Sequence, residues 1–331
     1  MAVAKYIAKK IAGMLLMLFA VSIVSFIIIQ LPPGDYLSTY MAQLQASGEQ
    51  VNAEVIEAMR RQYGLDLPVY MQYFKWIGGI IFHGDFGMSF TWKCPVIDLL
   101  KSRMLITVVL SVLTLIFTYV TAIITGIYSA VKQYSPLDYL FTVLAFIGMS
   151  VPNFILTLIM VYFAYSLTGS TMTGLFSPEF VDAPWNLARL WDMLKHFPIP
   201  IVLCGVSGLA SIFRVTRGCM LDELDKTYVA AARARGLSEG RLLMKYPARI
   251  AMNPIVSTIG WILPGIVSGG TIVAIVLSLP TVAPMLLESL KTQDMYLAGA
   301  IVMFLSALTI VGMFISDVLL MLVDPRIKLK N

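Results

Sequence analysis

Residues 140–167 read LFTVLAFIGMSVPNFILTLIMVYFAYSL. No charge interrupts the run, and a helix of about 20 apolar residues is enough to cross a bilayer. Pro152 sits near its middle. A membrane helix tolerates proline as a kink, because neighbouring groups satisfy the backbone atoms it frees. The stretch therefore predicts one kinked transmembrane helix over 138–166. Further apolar runs lie at 11–31, 104–130, 198–217, 253–279 and 297–322. The fifth is rich in Gly and Pro (Gly260, Pro264, Gly265, Gly269, Gly270), and Pro254 blurs its start.

Composition agrees. The chain is 58% hydrophobic with only 13% charged residues and a mean hydropathy of +0.82, above the apolar share of soluble domains. A β-barrel would show roughly 10-residue alternating segments instead. Lys5, Lys9 and Lys10 precede the run from Ile11 to Leu31, which leads into Pro32-Pro33-Gly34-Asp35. A secretory leader has a shorter apolar core and a small-residue cleavage site, so this run reads as an uncleaved first span. The expected fold class is an all-α polytopic membrane protein with six transmembrane helices and a large external segment after the first.

Basic residues orient such a chain. With the N-terminus inside, the cytoplasmic segments hold Lys5, Lys9, Lys10 and Lys132. They also hold Arg214, Arg217, Lys226, Arg233, Arg235, Arg241, Lys245 and Arg249, and finally Arg326, Lys328 and Lys330. The short outer segments hold Arg189, Lys195 and Lys291. Both termini are therefore expected in the cytoplasm. The organisation that follows is a cytoplasmic N-terminus and first helix (1–31), an external segment (32–103), and a five-helix transmembrane core (104–331). That core contains a second external loop (167–197) and a basic cytoplasmic loop (218–252).

Much chemistry is missing from the sequence. There is no GxxxxGK[ST], HExxH or GxSxG pattern, so no P-loop, zinc-protease or hydrolase motif is present. Cys94, Cys204 and Cys219 are scattered and odd in number, giving neither a disulfide framework nor a zinc site. His83 and His196 lie far apart in external segments. No catalytic residue and no metal ligand is expected, and no nucleic-acid partner. Asp317 is the one acidic residue inside an expected span. Such a residue is a functional candidate, but its nearness to Asp324-Pro325-Arg326 favours an interfacial pairing with a basic residue.

The basic loop holds YVAAARARGLSEGRLLMKYPARI, residues 228–250. Its alanines (Ala230, Ala231, Ala232, Ala234) favour helix, and Gly236 is placed to end it. Ser238 is placed to cap a second short helix, which Pro247 and Pro254 are expected to break. Helix, glycine turn and short helix form either a protein-docking element or a basic surface on anionic lipid. Small alanines suit close docking. A lipid-binding helix would carry large apolar residues there, as Leu242, Leu243 and Met244 do.

YVAAARARGL followed by KYPARIAMNPIVS resembles the EAA loop of ATP-binding-cassette importer permeases. The likeness is to the dipeptide, oligopeptide and nickel branch, of oligopeptide permease B type, whose loop reads like YVRTARAKGL and then RHALRNALLPV. Tyr228, Ala232, Arg233, Ala234, Gly236, Leu237, Ser238, Arg249, Ala251 and Pro254 fall on the pattern. YGLDLPVYMQYFKWIGGIIFHGDFGMSF (63–90), VPNFILTLIMVYFAY (151–165) and LVDPRIK (322–328) resemble further elements of the branch in the right order. The chain departs in having Ala230 where the loop's glutamate stands, Tyr36 for the proline of PGDP, and AIVLSLPTVAP (274–284) for an acidic-to-SWPGLG element.

The resemblance implies a type I importer fold in a prokaryotic inner membrane. It implies a second homologous permease subunit, two ATPase subunits and an extracytoplasmic solute-binding protein as partners, besides membrane lipid. ATP and magnesium would be held by the ATPase subunits, with no cofactor in this chain. The coupling loop would comprise Tyr228, Ala231, Ala232, Arg233, Ala234, Arg235, Gly236, Leu237, Ser238 and Arg249. Arg233 and Arg235 would meet acceptors in the docking groove. Peptides are the commonest cargo of the branch, with oligosaccharide an alternative; no substrate-binding residue is assigned. A stand-alone carrier or channel, or a sensory membrane anchor, would be the competing classes.

Overall fold

The structure is a computed structural model that describes residues 2–30, 57, 61, 66–89, 91–169, 173–181, 183–184 and 186–323. The motif at 32–35 and the closing residues 324–328 lie outside these, as does most of 31–65. The described chain is helical apart from one short hairpin. Its helices are α1 (Ala2–Gln30), α2 (Val69–Gly78), α3 (Val96–Val131), α4 (Pro136–Ser150), α5 (Asn153–Thr168), α6 (Leu187–His196) and α7 (Pro198–Leu224). They continue as α8 (Thr227–Ala234), α9 (Glu239–Lys245), α10 (Pro247–Ser257), α11 (Ile259–Val276), α12 (Val282–Lys291) and α13 (Met295–Val323). The hairpin pairs β1 (Met88–Ser89) with β2 (Cys94–Pro95), Met88 opposite Pro95 and Ser89 opposite Cys94.

Among the described residues, four stretches are helical, long and apolar enough to cross a membrane: Ala8–Ile27, Val96–Val131, Leu187–Leu224 and Met295–Met321. They contain the expected second and fourth spans whole and cover most of the expected first and sixth. The expected third is not one kinked helix. It is the pair α4 and α5, bent by 111°; counting that pair as one span makes five. Proline disfavours helical geometry in the residue before it, and Val151 is extended at φ −94°, ψ 123°. Pro152 then starts α5 as its N-cap. The expected fifth span also differs. Thr258 divides it into the end of α10 and the 18-residue α11, which reaches only about 27 Å against a hydrocarbon core of about 30 Å.

The residues form two compact units. The first comprises Met1–Leu105 and Thr281–Ile310. Its core joins Val96, Leu100, Val282, Met285, Leu297, Ala300 and Ile301. Asp294 organises it from a fully buried position. Its carboxylate accepts from the Ser89 hydroxyl at 2.6 Å and the Thr91 N–H at 3.2 Å, and it caps α13 through the Leu297 N–H at 3.3 Å. A buried carboxylate with three donors is stable; three donors without it are not. Asp294→Ala should therefore cost about 2–4 kcal/mol, read as a lower melting temperature of the detergent-solubilised chain. Wild-type melting would show that the hairpin is held by packing alone.

The second unit comprises Ile106–Pro280 and Val311–Asn331. Here glycines let helices touch. A side chain at Gly148 of α4 would meet Val206 of α7 at 2.9 Å, and one at Gly205 would meet Thr118 of α3 at 2.6 Å. Small residues at such crossings are the membrane protein's way to close packing. At the other end of the α4–α7 contact lies Asp138, 2% exposed. Arg217 of α7 donates to both its oxygens, at 2.9 and 3.0 Å, and the Tyr134 N–H adds a bond at 2.9 Å.

Candidate coupling loop

The loop between α7 and α11 is a folded module. Val229, Ala232 and Leu242 are buried together, with Tyr228, Leu237, Leu243 and Tyr246 packed around them. The alternation that buries Val229 and Ala232 leaves Ala230, Ala231 and Ala234 exposed on the same helix. So α8 shows the surroundings an alanine-sized face, while its larger side chain turns inward. Arg233, Arg235, Gly236, Ser238 and Arg249 are also exposed. Tyr228 and Leu237 are half-buried in the module's core.

The turn is made as the sequence suggests. Arg235 closes α8, and Gly236 takes φ +77°, a left-handed conformation that glycine reaches without the Cβ penalty. Its N–H donates to the Arg233 carbonyl at 3.0 Å. Two details differ from expectation. Ser238 does stand at the N-cap of α9 with extended geometry, but its hydroxyl makes no capping bond; the first turn is closed by the Leu242 N–H to the Ser238 carbonyl at 2.9 Å. Pro254 breaks nothing. Pro247 occupies the first turn of α10, where its missing N–H costs no bond, and α10 runs through Pro254 to Ser257.

Charge placement separates the two arginines that the sequence had paired. Arg233 is engaged within the loop: Nε donates to Glu239 Oε1 at 2.6 Å and Nη2 to Oε2 at 3.2 Å. This bidentate pair spans the glycine turn and holds the Glu239 carboxyl below its usual range. Among the described residues, no carboxylate lies within ion-pair distance of Arg235, whose guanidinium remains available at the tip. The Tyr228 hydroxyl donates to Glu223 of α7 at 2.5 Å, tying the module to the preceding long helix. Burial, and then this bond to a carboxylate, push the phenol up to about 12.

The phenol's folded-state value lies above its unfolded one. The proton-linked stabilisation is therefore full below about pH 10 and is lost as pH rises from there through about 12. The stability difference between the chain and a Tyr228→Phe variant should be constant below pH 10 and change above it. A difference that is flat to pH 12 would show the phenol titrating normally.

Sequence reasoning missed Glu223, Glu239 and the Asp138–Arg217 pair. Glu239 is six residues from Arg233 across a turn, outside the three- and four-residue helix rule that would have signalled it. Asp317, singled out by sequence, is half-buried near the end of α13.

The described chain thus combines long apolar helices with a packed helix–glycine–helix loop. Residues 122–329 match the binding-protein-dependent transport system inner membrane component, and residues 3–111 match the N-terminal part of such membrane components. The chain belongs to this family, the permease subunits of ATP-binding-cassette importers. It is 31% identical over 326 residues to the oligopeptide transport system permease protein AppB of Bacillus subtilis, covering 98% of this chain and 99% of that one. It is 28% identical over 327 residues to the dipeptide transport system permease protein DppB of Lactococcus lactis, again 98% and 99%. With the glutathione transport system permease protein GsiC of Escherichia coli it shares 30% over 325 residues, with the same coverage.

Proposed function

We propose that the chain forms part of the pathway by which an ATP-driven importer admits short peptides. The observation that carries the cargo class is the full-length likeness to relatives named for oligopeptide, dipeptide and glutathione transport. Nothing among these relatives favours the oligosaccharide alternative. The proposed topology is six spans, with α4–α5 as the third and α10–α11 as the fifth, both termini cytoplasmic and the segment 32–103 external. Its support is the distribution of lysine and arginine. The proposed partners are a second permease subunit, two ATPase subunits that hold ATP and magnesium, and an extracytoplasmic binding protein.

The 228–250 module would be the coupling element. Its support is a packed, hydrogen-bonded shape with a small-residue outer face and a cationic tip at Arg235. A rigid element of this kind transmits a partner's motion as a displacement of the helices attached to it. Here those are α7, through Tyr228 and Glu223, and α10, through Pro247. Arg233 would set the shape of the turn rather than meet the partner. Cargo class is tested by uptake of a labelled tripeptide and a labelled trisaccharide in cells with and without the chain. Loss of tripeptide uptake alone is the expected result, and loss of trisaccharide uptake alone would reverse the cargo assignment.

A further inference from the structure

A recess of about 340 Å³ opens where α4 breaks from α5, lined by Gly148, Met149, Pro152, Asn153, Ser207 of α7 and Ile272 of α11. Ser207 lies about 15 Å along α7 from Arg217 in the proposed fourth span, half the thickness of a hydrocarbon core of about 30 Å. The break leaves main-chain groups without partners. Pro152 has no N–H to give the Gly148 carbonyl. Among the described residues, no main-chain bond crosses the corner to the carbonyls of Met149 or Ser150. The Asn153 side-chain amide donates to the Ser207 hydroxyl at 3.5 Å, a length that leaves both groups with unused capacity. Non-helical backbone at this depth persists only where protein covers it or water reaches it. In secondary transporters, discontinuous helices stand at the substrate site.

We propose that this recess is a water-filled section of the translocation path and that it binds the main-chain amides of the passing peptide. The lining is neutral: carbonyls, one carboxamide and one hydroxyl, with no charged side chain. Such a set offers acceptors to peptide N–H groups and donors to peptide carbonyls, while Met149, Pro152 and Ile272 give contact without selecting a side chain. Main-chain hydrogen bonding of this kind recognises a peptide irrespective of its sequence. The ligand class deepens the peptide-permease reading and rests on it, whereas water access does not.

The test places a cysteine at 207 in a chain whose own cysteines are replaced (Cys94→Ser, Cys204→Ala, Cys219→Ser), within membrane vesicles of the native organism so that the chain's partners are present. The probe is a membrane-impermeant, cationic methanethiosulfonate, which reacts with the thiolate and so needs water at the site. Phe163→Cys, exposed on α5 but outside the recess lining, is the reference, and Ile272→Cys is a second reporter in case Ser207→Cys folds poorly. Modification at 207 or 272 should be about tenfold faster than at 163, and a saturating tripeptide should slow it about threefold or more. Modification no faster than at 163 would overturn the proposal, since the recess would then be sealed by lipid or by a partner subunit. Fast modification that tripeptide does not slow, in vesicles that take tripeptide up, would overturn the ligand class. Failure of the same vesicles to take up tripeptide before any labelling would count against the peptide reading itself, with water access still read from the labelling rates.

Discussion

Replacing Gly236 by proline is expected to leave the chain inserted in the membrane and to reduce coupled peptide uptake about a hundredfold. Position 236 holds φ +77°, and proline locks φ near −65°. The substitution also removes the N–H that donates to the Arg233 carbonyl at 3.0 Å. A cost of about 3 kcal/mol leaves roughly one chain in a hundred with the docking shape. Tertiary crowding plays no part, since a Cβ at 236 would meet nothing within 4 Å. The effect should therefore be graded by backbone preference alone. Asparagine, which tolerates the left-handed region, should be mild, and alanine intermediate at about 1–2 kcal/mol. Insertion is read by membrane fractionation, and coupling by tripeptide uptake alongside ATP hydrolysis. Wild-type uptake by the proline variant would remove the loop from the mechanism. Altered membrane partitioning with normal uptake would return it to the lipid-surface reading.

Arg217→Ala is expected to destabilise the chain by about 3–5 kcal/mol, because it strands the buried Asp138 carboxylate without its cation. That is a large share of the total stability of a typical protein, so the variant should give little folded material in detergent. The carboxylate would keep the Tyr134 N–H at 2.9 Å and a distant Thr142 hydroxyl at 3.5 Å, too little to hold a charge at 2% exposure. The double variant Arg217→Ala, Asp138→Ala removes the stranded charge and should recover part of the loss. Thermal unfolding of the three variants reads the coupling. A double variant no more stable than Arg217→Ala would mean that the pair contributes nothing beyond packing.

Local features carried into the structure and distant ones did not. Gly236 was legible because only glycine readily adopts the conformation that reverses the chain there. The long helices over most of the expected first, second, fourth and sixth spans were legible because a run of apolar residues has few other stable forms. Pro152 announced an interruption, but the pre-proline restriction acts on one residue's ψ and says nothing of a 111° turn. The packing of Gly148 on Val206 fixes where α4 runs, and that contact joins residues far apart in sequence. The same distance hid Asp138 and Arg217, which appeared as an ordinary start-of-helix acid and one more cytoplasmic cation. Arg233 stood out in the sequence as one cation of a basic segment, and the structure places it in the last turn of α8. Its engagement with Glu239 depended on the turn between them and only became visible once that turn was folded.

The most direct test of the account is tripeptide uptake into proteoliposomes by this chain alone and by its complete complex. The chain alone should give no uptake, and the complex should give uptake only when ATP is supplied on the ATPase side and the binding protein on the other. Uptake by the purified chain without ATP or partners would contradict it and make the chain a carrier in its own right.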